Sequence, residues 1–198
     1  MKLSSDKSMR PLVVLGVDTG FSTYGLSRVE IFPEIRVRAF TTLRYIDKGN
    51  DLKATERMLS VGYDMSNQVH TWIDSNFKDN PPIAVAVEGV SIPQKVGPQT
   101  TLKIGIGWGT LLSVASRLGV PVFQRFPAAI KQHLTGKKSA SKKEIQAVLS
   151  NKFCVDFEGM NLTLREHAAD SIAAAITVAQ QEKMVGMAIS AIRNHVST

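Results

Sequence analysis

Small and apolar residues from Leu12 to Val17 run directly into a carboxylate in Pro11-Leu-Val-Val-Leu-Gly-Val-Asp-Thr-Gly20. A short β-branched run bounded by Pro11 and Gly20 predicts a strand buried on both faces. Asp18 at its end has two readings. It caps a turn in solvent, or it holds a ligand around which Thr19 and Gly20 let the backbone turn closely.

Residues 1–10 predict a loose basic leader, and the apolar run behind them is too short for a signal peptide. Phe21 to Ile31 and Ile35 to Leu43 predict two more strands, with Phe32-Pro33-Glu34 as the turn. In the second, Val37, Ala39 and Thr41 alternate with Arg36, Arg38 and Phe40. Three consecutive strands with short turns make an antiparallel meander. Asp51 to Phe77 predicts a long helix whose apolar face comprises Leu52, Leu59, Tyr63, Val69, Ile73 and Phe77. Asn80-Pro81-Pro82 ends it. Ile83 to Glu88 is a second buried strand that runs into a carboxylate. The helical crossover makes it parallel to an earlier strand, so Asp18 and Glu88 share the C-terminal edge of the sheet, where ligands bind in open α/β sheets.

Thr100 to Leu118 predicts a helix rich in small residues. The spacing of Gly105, Gly107 and Gly109 is wrong for a dinucleotide loop, and Gly105 and Gly109 are expected to pack closely on a neighbour. A short strand over Val120–Gln124 and a helix from Pro127 to His133 follow. The loop from Thr135 to Lys143 is basic. Ser141 and Glu144 form a capping box, which places Lys142 and Lys143 in the first turn of a helix. There the macrodipole disfavours cations by about 0.3–1 kcal/mol each. The loop is therefore either a phosphate site or a solvated basic surface. Thr163 with Glu166 predicts another capping box. Ala168, Ile172, Ala175, Ile176 and Ala179 form a stripe suited to lying flat on a sheet. His167 and Asp170 share one face and can reach the Asp18–Glu88 edge. The plainer readings are a capping or core histidine and an aspartate that compensates the helix dipole. Residues 183–198 predict an exposed helical tail. The expected organisation is a leader at 1–10, one domain at 11–182 and that tail.

Composition narrows the partners. Of 198 residues, 24 are Lys or Arg and 17 are Asp or Glu, a net charge of +7 that favours an anionic partner, nucleic acid before a membrane surface. The 43% hydrophobic content suffices for a core and argues against disorder. The single cysteine, Cys154, excludes an intrachain disulfide and fits a reducing compartment. No run of eighteen uncharged apolar residues predicts a membrane span.

Three carboxylates and a histidine from two strand ends and one helix are ligands for hard divalent cations: Mg²⁺, or Mn²⁺, which accepts imidazole more readily. Two such ions about 4 Å apart serve phosphodiester hydrolysis. The order of these elements resembles the RuvC-type Holliday junction resolvases of the RNase H-like nucleases. It runs from strand–Asp18-x-Gly20 to strand–Glu88, then Lys131-Gln132 with Thr135-Gly136 and a basic segment, then His167-Ala-Ala-Asp170-Ser-Ile-Ala-Ala-Ala-Ile176.

The resemblance spans about Leu12 to Val178. It implies an α/β RNase H-like fold with a mixed five-stranded sheet, antiparallel meander plus parallel strands, flanked by helices. It further implies a homodimeric, metal-dependent endonuclease that nicks two strands of a four-way DNA junction symmetrically, in the cytoplasm of a bacterial cell or phage-infected host. Asp18, Glu88, His167 and Asp170 match the metal positions; Lys131 and Lys142 match basic residues nearby. Lys137, Lys138 and Lys143 add basic charge for DNA. Three positions depart from the family pattern. His167 stands where many members have Asp. Ser91 followed by Ile92 replaces an aromatic that stacks at the crossover, which leaves Ile92 as the candidate contact. Gly136-Lys137-Lys138 is more basic than usual. The alternatives are a related nuclease acting on RNA–DNA hybrids or branched DNA generally, an actin-like or sugar-kinase ATP-binding domain (which needs two domains and a longer chain), and a DNA-binding protein on an inactive nuclease fold.

Overall fold

A computed structural model describes residues 10–45, 54–89 and 97–196. Five strands form one mixed sheet in the order β3-β2-β1-β4-β5. They are β1 (Val13–Asp18), β2 (Thr23–Glu30), β3 (Arg36–Arg44), β4 (Ala84–Glu88) and β5 (Val122–Arg125). β1, β2 and β3 pair antiparallel as the predicted meander, and β4 and β5 add parallel to β1. This is the mixed five-stranded sheet, meander plus parallel strands, that was expected.

Side-chain parity divides the core into two layers. Val13, Leu15 and Val17 of β1 and Val85 and Val87 of β4 face α1 (Ala54–Phe77) and α2 (Pro98–Leu118). Val14 of β1 and Ala84 and Ala86 of β4 face the other layer, which holds α3 (Pro127–Thr135), α4 (Lys142–Phe153) and α5 (Leu162–Gln181). Continuing the period of two, Asp18 and Glu88 point to the α5 side.

α5 lies unusually close to the sheet. A Cβ on Gly16 would stand 2.2 Å from the Ser171 carbonyl oxygen, and one on Gly25 would stand 2.0 Å from that of His167. Gly25 is also the register partner of Asp18. The absence of side chains at these two positions brings the first turns of α5 against the end of β1.

Several local expectations change. The buried face of α1 is Met58, Val61, Met65, Val69, Ile73 and Phe77, whereas Leu59 and Tyr63 are 63% and 70% exposed. The true stripe starts one residue earlier than the pattern anchored on Leu59. Leu52 lies outside the described residues. Nothing packs within 4 Å of the Cβ positions of Gly105 and Gly109. The close approach in α2 belongs to Gly107, where a Cβ would meet the Gly20 carbonyl oxygen at 3.1 Å. The Tyr24 hydroxyl donates to the Gly107 carbonyl and ties β2 to the same turn of α2. α5 begins at Leu162 rather than Thr163. Its cap is Asn161, whose side chain accepts from the Leu164 N–H at 3.0 Å. The capping box of Ser141 and Glu144 is present. α6 (Lys183–Val196) is less exposed than a free tail, since Val185 is buried and Ile189 packs against the α5 layer.

Gly25→Ala forces the α5 backbone outward, because its obstacle is a carbonyl and not a flexible side chain. It is expected to destabilise the protein by about 1–3 kcal/mol. Thermal melts of the wild type and the variant will check it.

Candidate active site

Four side chains converge where β1 and β4 end. Asp18 and Glu88 come from adjacent parallel strands, one step beyond the paired Val17 and Val87. Asp170 comes from the third turn of α5. Carboxylate oxygens of Asp18, Glu88 and Asp170 all lie within 4.8 Å of one another. His167, one turn before Asp170, places Nδ1 2.6 Å from Asp18 Oδ2. The expected ligand set of four is therefore a close cluster of three carboxylates with the imidazole attached to one of them.

Charge crowding shows in the protonation of the cluster. Burial, then the charges of Asp170 and Asp18, push the Glu88 carboxyl up to about 8. Burial and the Asp18 charge raise Asp170 to about 6. The hydrogen bond to Asp18 raises His167 despite partial burial. Oxygen donors packed this tightly suit a hard divalent cation, which would replace the protons now shared in the cluster. Asp18, Glu88 and Asp170 thus fit a metal centre.

A cavity of about 260 Å³ adjoins the carboxylates on the β4–β5 side and is lined by Glu88, Lys131, Lys142 and Asp170 among others. Lys131 projects from α3. Lys142 opens α4, with Nζ 2.8 Å from Glu166 Oε2 and 3.4 Å from Asp170 Oδ2. Burial works against the Lys142 charge, but the hydrogen bond to Glu166 and the charges of Asp170 and Glu166 outweigh it and raise its pKa. The helix-start cation thus finds carboxylates, a partner that the phosphate-or-solvent alternatives left out.

The remaining predicted DNA contacts stand further out. Lys137 is exposed and lies 3.6 Å from Glu144. Lys138 and Lys143 are exposed and do not line the cavity. Ile92 and Ser91 lie outside the described residues. Sequence reasoning missed Glu166 as a partner, because it was assigned to a helix cap. It also missed Gly16 and Gly25, whose role depends on a helix far along the chain.

Each of these shifts is upward, so the sign of the pH dependence follows. A carboxyl raised in the folded state adds no penalty below its ordinary range near 4.5 and a full penalty above its folded value. The raised His167 stabilises below its ordinary 6.5 and loses that contribution above its folded value. The metal-free protein is therefore expected to lose stability as pH rises from about 4.5 to about 8. Glu88→Gln should flatten that dependence and raise the metal-free melting temperature at pH 8 by a few degrees, on the order of 1 kcal/mol. It should also abolish the stabilisation that Mn²⁺ gives the wild type. Melts across pH with and without Mn²⁺ will check all three.

Comparison with known proteins agrees with this geometry. The family model described as crossover junction endodeoxyribonuclease RuvC matches residues 14–178. The crossover junction endodeoxyribonuclease RuvC of Chlamydia trachomatis serovar L2 is 31% identical over 140 residues, covering 70% of this chain and 75% of the relative. Thermus thermophilus RuvC superposes with a TM-score of 0.62 at 25% identity, covering 87% of this chain and 96% of that one. The same protein in complex with Holliday junction substrate superposes with a TM-score of 0.65 at 24% identity and the same coverage, a likeness of fold. Among the described residues no helix is long and apolar enough to cross a membrane. Matched by the family model over most of its length, the chain belongs to the RuvC family of crossover junction endodeoxyribonucleases.

Proposed function

We propose that this chain resolves four-way DNA junctions by metal-dependent phosphodiester hydrolysis, one cut in each of two symmetry-related strands. The observation that carries the reading is the close carboxylate cluster beside a lysine-lined cavity in a RuvC-family chain. Asp18, Glu88 and Asp170 are the metal ligands, and His167 joins them through the ring nitrogen not engaged with Asp18. Mg²⁺ or Mn²⁺ held there, as one or two ions, supplies activation of water and charge stabilisation at the leaving oxygen.

The chain's own groups do the rest. Lys131 and Lys142 line the cavity next to the carboxylates and are placed to bind phosphate oxygens of the cut strand. Lys137, Lys138 and Lys143 extend the positive surface for phosphates further along the junction arm, and Ile92 is the candidate contact at the crossover. His167 can serve as a ligand only after the imidazolium loses its Nε2 proton, the Nδ1–H staying on Asp18, and the Asp18 hydrogen bond holds that proton to higher pH, so activity rises with pH.

A twofold junction calls for two active sites, supplied by a homodimer. Exposed Leu59 and Tyr63 on α1 and Leu102 and Leu112 on α2 are apolar surface suited to that contact. The bacterial relatives fit work in the cytoplasm of a bacterial or phage-infected cell. In domain terms, 11–182 is the nuclease unit, with 1–10 and 183–198 as its leader and tail.

The test is cleavage of a four-way junction into paired nicked duplexes with Mg²⁺ or Mn²⁺, linear duplex being spared. Asp18→Asn should lower the cutting rate by more than about a thousandfold and leave junction affinity within a few-fold, because phosphate contacts carry affinity. Two protomers per junction are expected by light scattering. A monomer that cuts RNA–DNA hybrids instead would establish the hybrid-specific alternative.

His167→Asp should remain active with its optimum moved towards Mg²⁺, because a carboxylate replaces a nitrogen donor that Mn²⁺ tolerates better. If the ring instead serves as a general base, the variant loses most activity in both metals, along with the single ionisation in its pH–rate profile. A fully active His167→Ala would leave three carboxylates as the whole site.

A further inference from the structure

The carboxylates stand between two clefts, and the reaction described above uses only the one lined by Lys131 and Lys142. The second, of about 750 Å³, opens on the β2–β3 side. Phe21 of the β1–β2 turn lines it, with Arg44 and Tyr45 at the end of β3, Arg57 in the first turn of α1, Lys103 of α2 and Leu164 of α5. Phe21 is three residues past Asp18. Leu164 is three residues before His167, and its carbonyl accepts the Thr42 hydroxyl at 2.6 Å. The cleft is therefore fixed to the active centre at both of its walls.

Its lining combines two chemistries. Arg44, Arg57 and Lys103 are exposed cations, and none of the described lining residues is acidic. Phe21 and Tyr45 present aromatic rings anchored against the core layer of α1 and α2. Lys103 Nζ lies 5.5 Å from the centroid of the Phe21 ring. Anchored rings with a basic rim are the recurring solution for an unpaired stretch of nucleic acid, with bases stacked on the rings and phosphates on the cations. The volume is that of a pocket for a small molecule, so one or two nucleotides fit it.

We propose that this cleft binds the cut strand beyond the scissile phosphate, stacking an unpaired base on Phe21 and holding adjacent phosphates on Arg44 and Lys103. The proposal rests on the junction-nuclease reading and adds a second anchor to it. A strand held by Lys131 and Lys142 on one side and by this cleft on the other has its intervening phosphate fixed over the carboxylates, which is how positioning lowers a barrier.

The experiment measures binding of the full chain to a four-way junction carrying 2-aminopurine at the crossover, with metal chelated, over a range of salt. Arg44→Ala and Lys103→Ala should each reduce the slope of log affinity against log salt by about one. Lys78→Ala, at the opposite end of the sheet, should leave it unchanged. Phe21→Leu keeps the apolar packing but loses the ring face. It should weaken binding about tenfold and reduce the change in 2-aminopurine emission, with Phe21→Tyr restoring both. Arg44 and Lys103 are surface side chains, so their variants report on binding even if Phe21→Leu loosens the fold. Unchanged slopes in Arg44→Ala and Lys103→Ala, with the wild type binding and cutting the junction, overturn the cleft and leave the junction reading standing. A wild type that neither binds nor cuts any four-way junction removes the reading itself.

Discussion

The contact of α5 with the bare backbone of β1 and β2 governs the rest of this structure. Helices usually stand off a sheet by the length of their side chains. At Gly16 and Gly25 there is nothing to keep α5 away, and its backbone carbonyls at Ser171 and His167 occupy the space where Cβ atoms would be. Small residues on the helix, Ala168, Ala175 and Ala179 among them, preserve the approach along its length. The buried hydroxyls of Ser171 and Thr177 are satisfied within the helix by the Ala168 and Ala173 carbonyls at 2.8 Å, so they need no partner from the sheet. A one-turn separation on α5 then delivers His167 to Asp18 and Asp170 to the cluster of Asp18 and Glu88.

Placing three carboxylates together opposes folding, and the fold limits that cost in two ways. Burial and the neighbouring carboxylates push Glu88 and Asp170 upward, so the cluster can relieve its repulsion by holding protons to higher pH. Two side chains of opposite character also lean on it: His167 on Asp18, and Lys142 on Asp170 and Glu166. Such concentrated negative charge is tolerated in a native structure where binding or catalysis needs it. The capping box that fixes the start of α4 has a part here, since it sets the position of Lys142.

Legibility followed periodicity. β1 and β4 could be read because short apolar runs rich in Val that end in Asp18 and Glu88 have few other solutions, and parallel pairing by a crossover helix put both carboxylates at one edge. The capping box at Ser141 was legible because both of its partners lie within four residues. The failures are non-local. Gly105 and Gly109 carried a packing pattern, but which glycine meets a neighbour depends on the rotation of α2, and Gly107 faces the Gly20 turn. Leu59 and Tyr63 looked like core because any apolar residue fits some helical spacing; the rotation of α1 leaves them outside. Glu166 has a plausible local partner in Thr163, and only the fold shows that it meets Lys142 instead. The basic cleft of Arg44, Arg57 and Lys103 draws on three elements far apart in sequence, so no spacing announces it.

Lys142 links the carboxylate cluster to the cavity beside it. As a cation at a helix N-terminus it is locally misplaced, yet it bridges two carboxylates of which one belongs to the candidate metal centre. Its hold on Asp170, at 3.4 Å, is looser than its hold on Glu166, at 2.8 Å. Neutralising Asp170 by any other cation weakens the first contact and leaves the second, so the ammonium stays at the mouth of the cavity with a share of its charge uncommitted. A phosphate entering there meets a lysine already positioned by a capped helix and by Glu166, and little side-chain entropy remains to be lost. A cation on the carboxylates would in this way favour an anion at the cavity mouth, with Lys142 as the link between them.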